Sequence, residues 1–184
     1  MQYFSLLYRL KAENRYLIWI SNEKDSVVVD AGGFVPSFRD AARLRAYADV
    51  HHYSLQGEEP ILHDLDWVAG WIKAPAVTVD CREVLAAWNL FSDVAHSMPS
   101  KGGTFEHLDS QPTIYDKLFW GNNLPSMTPE GMHYGPEWSA AEVASLAEIL
   151  SAGLDLFESC IAVTHKSHDV ERVIVFCRVS SRAR

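Results

Sequence analysis

Four short stretches hold residue types that can do chemistry. His63-Asp64-Leu65-Asp66 places an imidazole and two carboxylates within four positions, a donor set that a transition metal can use. Asp93 and His96 stand three apart in a helical pattern, so they can touch. His165 and His168 have His-x-x-His spacing, but Lys166 beside them would repel a cation. His51 and His52 are adjacent, and on a strand they would point to opposite faces. No HExxH, GxSxG, GxGxxG or GxxxxGK[ST] pattern occurs, and Gly32-Gly33 alone makes no phosphate cradle. The three cysteines, Cys81, Cys160 and Cys177, lie far apart without CxxC spacing, which fits a reducing compartment.

The same residues also have simpler roles. Asp64 reads as the N-cap of a helix through LDWVAGWIK, with Asp66 as a first-turn acid favoured by the helix dipole. On this reading no residue is catalytic, and no metal or cofactor is expected. A small hydrolase or metal-dependent enzyme using His63, Asp64 and Asp66, or Asp93 and His96, stands as the alternative.

Charge separates the partners. The chain carries a formal net charge of −8, yet residues 51–160 alone hold 16 acidic and 4 basic side chains. Such a surface repels nucleic acid and steers a basic protein toward itself. Glu58, Glu59, Asp64 and Asp66 gather in one polar segment and are the candidate partner-binding residues. Trp67 and Trp71 would anchor a partner if exposed, although both are expected in the core.

These side chains need a scaffold, and the pattern predicts an α+β fold, a mostly antiparallel sheet covered by helices. Strands are expected over residues 3–10, 16–20 and 26–30, forming a hairpin or meander broken at KAENR and SNEKD. Ser37 reads as the N-cap of the first helix with Asp40 at N3, and HHYSL as a short strand returning to the sheet. Asp80 with Glu83, and Ser139 with Glu142, have capping-box spacing. Val84, Leu85, Trp88, Phe91, Ala95 and Met98 mark one core helix. Val143, Leu146, Ala147, Leu150, Leu154 and Phe157 mark another.

Residues 99–137 read as a long loop with some structure of its own around IYDKLFWGNNLP. There Ile114, Leu118, Phe119 and Leu124 are expected to anchor the loop to the core. An aromatic pair can also stack a base, but this segment has no arginine to support that. The expected organisation is one domain over 1–184: strand-rich 1–57, helical 62–160, and a final strand 171–179. No apolar run is long enough to span a bilayer and no basic leader opens the chain, so a cytoplasmic protein is expected.

The succession FSLLYRL…RYLIWISNEKDSVVVD, EEPILHDLDWVAGWI, DCREVLAAWNLFSDVAHS and IYDKLFWGNNLPSMTPEG…YGPEWS resembles the bacterial immunity proteins that accompany contact-dependent growth inhibition toxins. The resemblance runs over roughly residues 3–158. It implies a protein that binds the C-terminal domain of a cognate toxin, often a nuclease, and blocks it in the cytoplasm. It supplies no catalytic residue and no set of contact positions, and it implies neither direct nucleic-acid binding nor a membrane.

Overall fold

A computed structural model of the chain describes residues 1–108 and 110–163. Two nine-residue strands dominate the sheet. β1 (Gln2–Leu10) and β2 (Glu13–Ser21) pair antiparallel over their whole length, from Gln2↔Ser21 to Leu10↔Glu13. Only Lys11 and Ala12 remain for the turn, so the break expected at KAENR shrinks to two residues. Both take left-handed backbone conformations, φ 54° and 59°, which two-residue hairpin turns demand.

β3 (Ser26–Val27) pairs antiparallel with β2, and β5 (Leu62–Asp64) pairs parallel with β1, giving the order β3-β2-β1-β5. The chain is therefore α+β, with a mostly antiparallel sheet. A second, two-stranded sheet joins β4 (Val35–Ser37) to β6 (Ile161–Val163) in parallel.

Alternation along the strands divides the apolar residues between two faces. Leu6, Tyr8 and Leu10 of β1, with Leu17 and Trp19 of β2, meet α2 (Leu65–Lys73), α3 (Cys81–Ser97) and α6 (Ala140–Cys160) in the larger core. Tyr3, Tyr16, Ile18 and Ile20 pack with Leu44 and Ala48 of α1 (Ala41–Val50) and with Phe38, which precedes it. Both core-helix stripes are buried where expected, with Ala147 and Leu154 at the margin. Each fully buried Leu or Phe contributes about 1.5–3 kcal/mol by leaving water. α3 and α6 approach closely at Gly153, where an added methyl would overlap the Phe91 ring.

Several caps follow the sequence. Asp64 accepts from Trp67 N at 3.0 Å, and Asp80 accepts from Arg82 N and Glu83 N. Ser139 and Glu142 form a complete capping box. Glu83 completes no such box with Asp80. Burial raises the pKa of its carboxyl, and the nearby charge of Asp80 adds to the rise.

Other expectations need correction. Ser37 caps no helix, because β4 pairing and a hydrogen bond between its buried hydroxyl and Tyr8 hold it in the sheet. Asp40 is the N-cap of α1 and accepts from Arg43 N. His51 and His52 are not on a strand. α1 runs through Val50, His51 closes it, and His52 takes φ 59°; of HHYSL only Leu55 bridges to the sheet, beside Tyr3.

Residues 99–108 and 112–121 are not loop either, since they form α4 (Pro99–Leu108, kinked at Gly103) and α5 (Pro112–Gly121). A proline at the first position starts each. Leu124 lies past the end of α5 and is exposed, so of the four expected anchors Ile114, Leu118 and Phe119 reach the core, joined there by Tyr115. The strand expected over 171–179, His165, His168 and Cys177 lie outside the described residues. Cys81 and Cys160 are buried free thiols.

Candidate docking surface

Five separate stretches of chain meet around a hollow of about 810 Å³. A second hollow, between α4 and α6, is smaller at about 580 Å³. The larger one begins with the pairing Phe4↔Trp19, which sets two rings on one face of the sheet with centroids 5.5 Å apart. Ala86, Asn89, Leu90 and Asp93 recur at three- and four-residue steps of α3 and form the opposite wall. α5 adds Tyr115, whose hydroxyl donates to Asn89 Oδ1 at 2.9 Å.

The rim is acidic. The β2–β3 connection brings Glu23, Lys24 and Asp25, and the connection from α1 to β5 brings Glu58, Glu59 and Ile61. With Asp93 that makes five carboxylates against one lysine. None of the five is in an ion pair among the described residues. Ile61 is 68% exposed among them, an aliphatic side chain left in water.

Asp93 is the innermost of these acids. Its Oδ2 accepts from Trp19 Nε1 at 2.8 Å. Burial pushes its carboxyl up to about 6; the indole hydrogen bond pulls the other way, and the nearby charge of Asp25 adds to the rise. His63 also lines the hollow. Burial lowers its pKa, an effect that the nearby Ala86 backbone partly offsets, and its buried Nδ1 has no hydrogen-bond partner among the described residues.

Among the candidates from sequence, Glu58 and Glu59 stand on this rim, whereas Asp64 and Asp66 do not. Asp64 is used as a cap and lies 3.4 Å from Arg9. The carboxylate of Asp66 accepts from Lys11 N at 2.6 Å and Ala12 N at 2.7 Å, gripping the hairpin turn. Asp93 and His96 part company, because His96 lines a different hollow with Tyr3, Ile20 and Tyr53. Trp71 is buried in α2, and Trp67 is partly exposed but not part of the hollow. No group of three or more His, Cys, Asp or Glu side chains is placed to hold a metal ion among the described residues. No helix among them is long and apolar enough to cross a membrane.

Sequence reasoning missed Glu23, Asp25, Phe4, Trp19 and Tyr115. The acids are spread from position 23 to position 93, and only the sheet order brings them to one rim. No protein-family model, curated protein or solved structure matches the chain.

Proposed function

We propose that this chain is an immunity-type protein that binds and neutralises a basic toxin domain, a nuclease being the class whose cationic cleft fits best, in the cytoplasm of the producing cell. The observation that carries the reading is the aromatic-floored hollow whose five carboxylates have no ion-pair partner among the described residues. A surface of that kind attracts a basic protein, accelerates its approach and competes with phosphate for the same cationic groups. Exposed Ile61 offers an apolar contact within the charged ring, the arrangement in which interface anchors work best.

The test is co-purification and affinity measurement with the toxin domain encoded next to this gene. Binding tighter than micromolar, with an association rate that falls steeply as salt rises, is the expected result. A neighbouring toxin domain that fails to bind at that level defeats the reading.

A hydrolase remains the second reading, because His63 and Asp93 line one hollow. It requires turnover of an ester, amide or phosphoester panel that disappears in both His63→Gln and Asp93→Ala. Absence of turnover, or turnover that survives both substitutions, removes it.

A further inference from the structure

We infer that the hollow receives one arginine side chain from the partner protein, its guanidinium lying against Trp19 and pairing with Asp93 inside the ring formed by Glu58, Glu59 and Asp25. The inference rests on the reading above only for the source of that arginine.

Three features of the hollow converge on this occupant. The first is an anion held inward without a cation. Asp93 accepts one hydrogen bond from the Trp19 indole and is in no ion pair among the described residues. A carboxylate drawn out of water is costly unless a cation joins it, and here the cation can come from outside. Lys24, the one basic side chain lining the hollow, lies out on the rim and pairs with none of its acids within 4 Å.

The second feature is aromatic. The Trp19 indole uses its N–H edge on Asp93, so ring and carboxylate are fixed relative to each other and border the same space. A planar guanidinium can lie on an aromatic face while sending paired N–H groups to a carboxylate; an ammonium does the first weakly and the second not at all.

The third feature is the setting. The volume of about 810 Å³ exceeds the needs of one small cation, and exposed Ile61 sits at the mouth. Both suit a side chain projecting from a protein surface that also covers the rim. A polyanion is repelled by the same carboxylates.

The experiment titrates the protein with N-acetyl-arginine amide, following the indole N–H resonance that Trp19→Phe deletes. N-acetyl-citrulline amide, which has the same shape without the charge, and N-acetyl-lysine amide serve as comparisons. A saturable shift is expected with the arginine compound, at about millimolar affinity as befits a single side chain. Lysine should act more weakly and citrulline not at all. Asp93→Asn keeps an acceptor for the indole, so the resonance should persist and its response should vanish. Glu148→Gln removes an equal charge from the α4–α6 hollow and should respond like the wild type. No shift with arginine, an equal shift with citrulline, or an undiminished response in Asp93→Asn each overturns the inference.

The titration needs no toxin, which separates the two claims. Arginine binding alongside a neighbouring toxin domain that does not bind defeats the functional reading alone. A toxin domain that binds Asp93→Asn as tightly as wild type defeats the inference alone; a loss of tenfold or more is expected.

Discussion

Trp19 Nε1 donates to Asp93 Oδ2 across 2.8 Å, joining the second strand of the sheet to the C-terminal half of α3. The bond spans 74 positions of sequence and fixes the floor of the acidic hollow. It also places a carboxyl where its charge is disfavoured, and that has a measurable consequence.

Folding raises the Asp93 carboxyl from 3.8 to about 6, so the folded chain holds this proton more tightly than the unfolded one. The contribution of Asp93 to stability is therefore greatest below the unfolded value and declines as pH rises through the window from about 4 to about 6. Asp93→Asn keeps the indole acceptor and removes the titration. Urea midpoints measured from pH 4 to 7.5 should show the variant gaining on wild type across that window, and at least equal to it at pH 7.5. A constant difference between the two at every pH contradicts the assignment.

Asp66 holds two consecutive backbone N–H groups of the Lys11-Ala12 turn, whose residues both lie in the left-handed region. Successive amides in such a turn form a small anion-binding concavity, filled here by the protein's own carboxylate. Asp66→Ala should lower stability by about 1 kcal/mol in chemical denaturation, since two charge-assisted hydrogen bonds give way to bonds with water. Ala12→Gly should raise it by about 1 kcal/mol, because glycine bears the positive φ without strain.

Gly153 lets α6 rest against Phe91 of α3. Gly153→Ala should destabilise by about 1–3 kcal/mol through overpacking. Adding Phe91→Leu should then cost less in the Gly153→Ala background than in wild type, a coupling that a double-mutant cycle reads directly. Additive losses would mean the two side chains do not meet.

Glu142 lies between the Lys117 ammonium and the Ser139 cap. The hydrogen bond from Lys117 is the chief reason its carboxyl is held at about 2, with the Ser139 backbone and hydroxyl adding to the effect. A depressed folded value gives stability that is present above about 4.5 and lost as pH falls toward 2. Glu142→Gln should remove that part of the acid sensitivity, so the wild-type advantage over it should shrink between pH 4.5 and 2. Ser139→Ala should cost about 1 kcal/mol at neutral pH through the lost cap.

Local rules account for what could be read from sequence. Asp64, Asp80 and Ser139 cap their helices because an N-cap needs only its own next few residues, and the stripes on α3 and α6 follow from helical period alone. The failures arise where tertiary structure overrides local preference. Ser37 has the right type for a cap, but Tyr8 and strand pairing claim it, and the role falls to Asp40. α4 and α5 are masked by prolines and glycines that start and kink helices as readily as they break them. The hollow was half legible. Glu58 and Glu59 are neighbours in sequence and stood out, whereas Glu23, Asp25 and Asp93 join them only through the sheet order. Asp66 has the same chemistry as those acids but spends it on a backbone turn.

The central claim is that the hollow itself, not acidity in general, binds a basic protein. The most direct measurement compares the affinity of the neighbouring toxin domain for two triple variants. Glu58→Gln with Glu59→Gln and Asp93→Asn removes three of the five carboxylates of the hollow. Glu106→Gln with Glu148→Gln and Asp155→Asn removes the same charge around α4 and α6. The account predicts at least a hundredfold loss for the first and only a few-fold loss for the second, at one fixed salt concentration. Equal losses, or a larger loss in the second variant, would contradict it.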